Sequence, residues 1–99
     1  MNPYSVAKYV SMKVYHRPYD FLEQAGAYIV PLDLPTHDPV TTLKRILPHG
    51  FQLVKEAFVD GEARLVLSRD DVEASAVISE RNGNVTIHSL LIRYSFNLE

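Results

Sequence analysis

Three turn signals, Asp60-Gly61, Asp70-Asp71 and Asn82-Gly83, punctuate the second half of the chain at near-regular intervals. Asp-Gly and Asn-Gly favour two-residue hairpin turns, because type I′ geometry needs positive φ at both central positions. The segments between the signals are rich in Val, Leu, Ile and Ala. They read as strands over about 51–59, 62–69, 72–80 and 84–96, which together form an antiparallel meander.

Two-residue turns also set the register. Around Asp60-Gly61, Phe58 faces Ala63 and Glu56 faces Leu65; around Asp70-Asp71, Leu67 faces Ala74 and Leu65 faces Ala76. Around Asn82-Gly83, Ile78 faces Ile87, Ala76 faces Ser89 and Ala74 faces Leu91. The three turns agree on one apolar face: Val54, Phe58, Ala63, Leu65, Leu67, Ala74, Ala76, Ile78, Val85, Ile87 and Leu91. The opposite face collects Lys55, Glu62, Arg64, Glu73, Ser75, Ser79, Thr86 and His88, which suits water.

Ala63, Ala74, Ala76 and Ser89 make a stripe of small residues on the apolar face, where a helix can approach closely. The candidate helix is 39–47. Asp38 caps it, Pro39 suits its first position, and Pro48-His49-Gly50 ends it. Val40, Leu43, Ile46 and Leu47 share one side at helical spacing. In the first 37 residues, Val10, Met12 and Val14 alternate with Tyr9, Ser11, Lys13 and Tyr15, which favours a strand over 8–15. The alternative is a helix begun at Asn2-Pro3. Residues 18–25 resemble a short helix closed by Gly26, Ala27 to Leu32 are extended, and Pro31–Pro39 is a proline-punctuated connection. The expected fold class is α+β in a single small domain spanning 1–99. It is a four-stranded antiparallel meander over about 51–96 with one or two helices on one face, which N-terminal strands could extend.

The last strand breaks the alternation. By the register above, Leu90, Ile92, Tyr94 and Phe96 point to the polar face, together with Val77, Val66 and Leu53. An apolar strip on that side needs cover. The N-terminal segment, a second copy or a different protein would each supply it. Residues 1–19 carry Lys8, Lys13 and Arg17 with no acidic residue, interleaved with Tyr4, Tyr9, Tyr15 and Tyr19. Aromatic and basic residues in that mixture suit a protein hot spot or stacked, phosphate-bearing bases, although surface tyrosines also simply pack with their hydroxyls at the rim.

Composition narrows the chemistry. The chain has ten Lys and Arg against twelve Asp and Glu, a net charge of −2, which counts against a generalist nucleic-acid binder. With no cysteine, thiolate catalysis and Cys-based metal sites are excluded. His16, His37, His49 and His88 form no H-x-H or H-x-x-x-H pair, so no metal site is assigned. Gly-rich phosphate loops, G-x-S-x-G elbows and H-E-x-x-H motifs are absent, so neither a catalytic residue nor a cofactor is assigned. Asn84-Val85-Thr86 matches the glycosylation pattern, and with no secretion signal expected the match is read as chance. Glu56, on the apolar face between Val54 and Phe58, is the one candidate acid or base; the simpler expectation places it at the sheet margin, reaching Lys44, Arg45 or an N-terminal tyrosine.

The expected function is therefore a small non-enzymatic interaction module, of adaptor or inhibitor type, self-associating through the last strand. Its partner-binding residues are Tyr9, Lys13, Tyr15, Arg17, Leu90, Ile92, Tyr94 and Phe96. The partner is a second copy or another protein, ahead of single-stranded nucleic acid bound through Lys8, Tyr9, Lys13, Tyr15 and Arg17. A ligand-binding domain or enzyme using Glu56 is the third reading. No membrane span is expected, and a cytoplasmic compartment is expected.

Overall fold

The computed structural model describes residues 1–95. Its elements run α1 (Pro3–Tyr15), β1 (Leu22–Gln24), β2 (Ala27–Thr36), α2 (Pro39–Ile46), β3 (Gln52–Val59), β4 (Glu62–Arg69), β5 (Val72–Arg81) and β6 (Asn84–Tyr94). The strands form one six-stranded antiparallel sheet in the order β1-β2-β6-β5-β4-β3. The α+β class and the β3–β6 meander agree with the sequence, and the N-terminal hairpin β1–β2 extends the sheet beside β6.

The N-terminal segment is a helix, not the strand favoured above. Asn2 Oδ1 accepts from the Ser5 backbone N–H at 2.8 Å, and Ser5 Oγ accepts in return from the Asn2 N–H at 3.3 Å. This reciprocal cap, with Pro3 in the first turn, satisfies donors that would otherwise be orphaned. Val6, Ala7 and Val10 then form one buried side, a spacing that a strand would split between two faces. Residues 22–24 are strand rather than the end of a helix, because Ala25 and Gly26 both adopt positive φ and turn the chain into β2. The expected connection over 31–39 is largely strand as well. β1 covers only Ala27 to Ile29 of β2, so Pro31 and Pro35 occupy a length of strand with one free edge, where a missing N–H is tolerated.

α2 closely matches its expected range. Asp38 accepts from the Thr41 hydroxyl at 2.7 Å and from the Thr41 N–H at 3.2 Å. The Thr41 hydroxyl, then its backbone N–H, hold the Asp38 carboxyl below its usual range. A depressed carboxyl pKa stabilises the fold above the unfolded value, and the benefit is lost as pH falls through the folded value. Asp38→Asn is therefore expected to be the less stable protein at neutral pH. Chemical denaturation across an acid titration should show the gap closing below the usual carboxylate range; a constant gap would sink this assignment.

α1 lies across β2 and β6, and α2 packs against β6 and α1. The 37–51 connection that carries α2 crosses the sheet from β2 to the far edge at β3, over four strand spacings or about 19 Å. Leu43, Ile46, Leu47 and Phe51 are buried along this crossing, against Leu65, Leu67, Ala74, Ala76 and Ile87 from the sheet.

The main correction to the register comes from a β-bulge. Ile78 pairs with Ile87 as expected, but Val77 pairs with Ser89, leaving His88 as an extra residue on β6. One inserted residue exchanges the two faces of everything beyond it. Leu90 now faces Ala76, and Ile92 faces Ala74. Both are 0% exposed in the core, while Leu91 and Ser89, expected on the apolar face, turn outward. β2 bulges between Pro31 and Leu34 on the other side of β6 and stays in step with it. A further bulge at Val54 turns Leu53, rather than Val54, to the face of Leu67.

Candidate functional site

Few of the residues expected to bind a partner come together. Tyr9 and Lys13 are four positions apart on the outer side of α1, with Lys13 Nζ 5.7 Å from the centre of the Tyr9 ring. Tyr15 turns away from them, and its hydroxyl donates to the Pro31 carbonyl. Arg17 Nε lies 2.7 Å from Asp20 Oδ2. Leu90 and Ile92 are core residues, and their assignment to an outer surface patch is withdrawn on the bulge at His88. Tyr94 is 41% exposed at the end of β6, and Phe96 lies outside the described residues. β6 is hydrogen-bonded to β2 on one side and to β5 on the other, so its edge has no room for another strand.

The first helix and hairpin bring together a group of aromatic rings. Tyr4, Phe21 and Tyr28 meet at centroid distances of 5.5–6.1 Å, and Tyr19 adjoins Phe21 at 6.3 Å. Lys8 Nζ sits 5.5 Å from the ring centres of both Tyr4 and Tyr19. The Tyr19 hydroxyl beside Tyr4 raises the Tyr4 phenol above its ordinary value. A hollow of about 610 Å³ opens next to these rings, with Tyr4, Tyr28, Arg93 and Tyr94 among its walls. Each cation of the N-terminal segment is thus already engaged: Lys8 and Lys13 over tyrosine rings, Arg17 with Asp20.

Glu56 is exposed on β3 at the sheet margin, not buried between apolar neighbours. Lys44, an expected neighbour of Glu56, donates instead to Gln52 Oε1 at 3.1 Å. The histidines are dispersed. His16 ends α1 in the left-handed conformation, the His49 carbonyl accepts from Arg69 at 2.5 Å, and His88 Nε2 lies 2.6 Å from Ser79 Oγ. Among the described residues, no group of three or more His, Asp or Glu side chains could hold a metal ion. No helix among them is long and apolar enough to cross a membrane.

β3 is the structural surprise. Among the described residues it is an edge strand, paired only with β4, and beyond the Lys44 bond to Gln52 neither helix covers it. Phe58 is 76% exposed and Val54 57%, with Val59 and Leu53 exposed to a lesser degree. The sequence places Phe58 opposite Ala63, and that pairing holds, but the crossing connection stops short of this corner of the sheet. An exposed apolar strand with free backbone groups is a template for another strand. The signal was present in Leu53-Val54-Lys55-Glu56-Ala57-Phe58-Val59, apolar on both faces around one charged pair. Finding it required knowing that β1–β2 joins β6 and leaves β3 at the margin.

No protein-family model matches the chain, and no curated protein or solved structure is detectably similar to it.

Proposed function

We propose that this chain is a non-enzymatic protein-interaction module whose docking element is the β3 edge, where it accepts an extended strand of a protein partner. The observation that carries the reading is the exposure of Phe58 at the free margin of the sheet, 76%, beside unpaired backbone groups. Strand addition draws affinity from main-chain hydrogen bonds and specificity from alternate side chains. β3 offers Phe58 on the helix side and Val59 on the other for the second task. Self-association through the last strand gives way to association through the first strand of the meander. The basic and aromatic residues of α1 supply a weaker case for nucleic acid, since each cation there already has a partner within the chain.

Ala57 is the residue to change. It lies mid-strand on the face away from the helices, opposite Arg64, so a longer side chain there enters solvent rather than core. With wild-type and Ala57→Lys baits of equal thermal midpoint, proteins specific to the wild type should fall about tenfold on the variant, the ratio that 1.4 kcal/mol gives. Quantitative mass spectrometry of both captures reads this directly. Indistinguishable captures would remove a protein other than this chain as the partner of β3.

A further inference from the structure

The backbone of β3 restricts what can pair with it. Val59 and Glu62 flank a two-residue turn whose central residues, Asp60 and Gly61, have φ of 52° and 78°. The carbonyl before such a turn accepts from the N–H after it, so Val59 and Glu62 form a hydrogen-bonded pair. Antiparallel ladders alternate bonded and non-bonded pairs. Ala57 and Lys55 therefore bond to β4, at Arg64 and Val66. The N–H and C=O of Glu56 and Phe58 are left pointing off the sheet. The available stretch ends at the Val54 bulge on one side and at the turn on the other.

We propose that the strand received by β3 is β3 of a second copy, antiparallel to it about a two-fold axis through Ala57; this rests on the reading of β3 as the docking edge. A two-fold relating antiparallel edge strands stands perpendicular to the sheet and keeps both helix layers on one side. Residues that face each other must then share a face, so the axis passes through a residue position rather than between two. Charge selects among the positions. An axis at Lys55 or Glu56 sets each against its own copy, and an axis at Phe58 sets Glu56 against the partner's Asp60. Like charges directly opposite are unfavourable.

An axis at Ala57 avoids all three conflicts. Ala57 then faces its own copy as a non-bonded pair, and Glu56 faces the partner's Phe58. All the free groups of Glu56 and Phe58 are used, in four intermolecular hydrogen bonds, since each of the two equivalent pairs exchanges two bonds. The two Phe58 rings become diagonal neighbours, within reach of aromatic side chains. Lys55 faces the partner's Val59, whose neighbour on β4 is Glu62; Glu62 pairs with Arg64 at 2.9 Å, so Lys55 would share that acid rather than meet a free one. The overlap is short, and the contact falls below the roughly 1,200 Å² of a stable interface. The dimer is consequently weak and reversible, populated at high micromolar concentration.

The chain has no cysteine, so single cysteines report the register cleanly. In the proposed dimer the two Ala57 Cα atoms are about 4.5 Å apart, within disulfide reach. The two Val59 Cα atoms are four residues out of step, about 13 Å. Under mild oxidation, Ala57→Cys should form a covalent dimer at least about tenfold faster than Val59→Cys, because only the first meets disulfide geometry. Sedimentation of the wild type should show dimer growing toward millimolar concentration, with amide exchange at Glu56 and Phe58 slowing in parallel and Ala57→Lys remaining monomeric. A wild type that stays monomeric throughout overturns the second copy as occupant, as does equal cross-linking by the two cysteine variants. β3 as a docking edge for a different protein fails separately, when Ala57→Lys and wild-type baits capture the same proteins.

Discussion

Replacing Leu90 and Ile92 together by serine is expected to unfold the chain, while Leu91→Ser at the intervening position leaves it folded. Leu90 and Ile92 are wholly buried, and Leu91 turns to the outer face. Removing a buried Leu or Ile side chain costs about 2–5 kcal/mol. Each serine also places a hydroxyl where nothing accepts it, adding about 1–3 kcal/mol. Even allowing for incomplete additivity between neighbours on one face, the pair costs about 6–10 kcal/mol, comparable with the whole stability of a domain this size, about 5–15 kcal/mol. Circular dichroism and urea denaturation decide the matter. Without the bulge at His88 the order would invert, with Leu91→Ser damaging and the double variant tolerated. A folded double variant would restore the outer patch that the sequence suggests.

That contrast locates where the sequence was legible and where it misled. The turns at 60–61, 70–71 and 82–83 carry their own chemistry, so the meander and most of its register could be read from them. The phase change in β6 was visible too, as consecutive polar residues His88-Ser89 followed by Leu90-Leu91-Ile92. Two structures explain such a pattern equally well at the level of sequence: a strand covered on both faces, or one extra residue that restores the alternation. Choosing between them depends on β2, which bulges at Leu32-Asp33 alongside the same stretch of β6. The neighbour is more than fifty positions away in the chain, and no local signal announces it.

The N-terminal segment misled for a different reason. β-branched and aromatic residues in alternation argue for a strand, but propensity differences of a few tenths of a kcal/mol per residue are small beside tertiary packing. The reciprocal cap of Asn2 and Ser5 and the buried side Val6, Ala7, Val10 decided for helix. Once helical, Tyr9 and Lys13 remain neighbours but Tyr15 leaves them. The candidate surface shrinks accordingly, from a mixed aromatic strand to one face of α1. Glu56 and Phe58 show the reverse case. Their pairing was legible from the Asp60-Gly61 turn, whereas their exposure depends on how far the 37–51 connection reaches across the sheet.

The alternating pattern makes Ser11 a polar strand position, yet its replacement is expected to have a large effect for a surface-sounding change. It is 0% exposed, and its hydroxyl serves two backbone groups at once. Oγ donates to the Arg17 carbonyl and accepts from the Asp20 N–H at 2.9 Å. One side chain thereby holds the bend that carries the chain from α1 into β1, and with it the placement of Tyr19 and Phe21 among the rings around Tyr4. Ser11→Ala deletes both bonds and leaves a donor and an acceptor without partners, a cost of about 1–3 kcal/mol for each buried group. Stability should fall by about 2–3 kcal/mol, since partial hydration at the edge of the bend offsets some of the loss. Amide exchange should quicken at Asp20 well beyond the global change. Ser11→Thr retains the hydroxyl, so it should keep Asp20 protected even if its extra methyl costs stability against the sheet. Equal Asp20 exchange in Ser11→Ala and the wild type would show that the bend is held by its rings and by the Arg17–Asp20 pair instead.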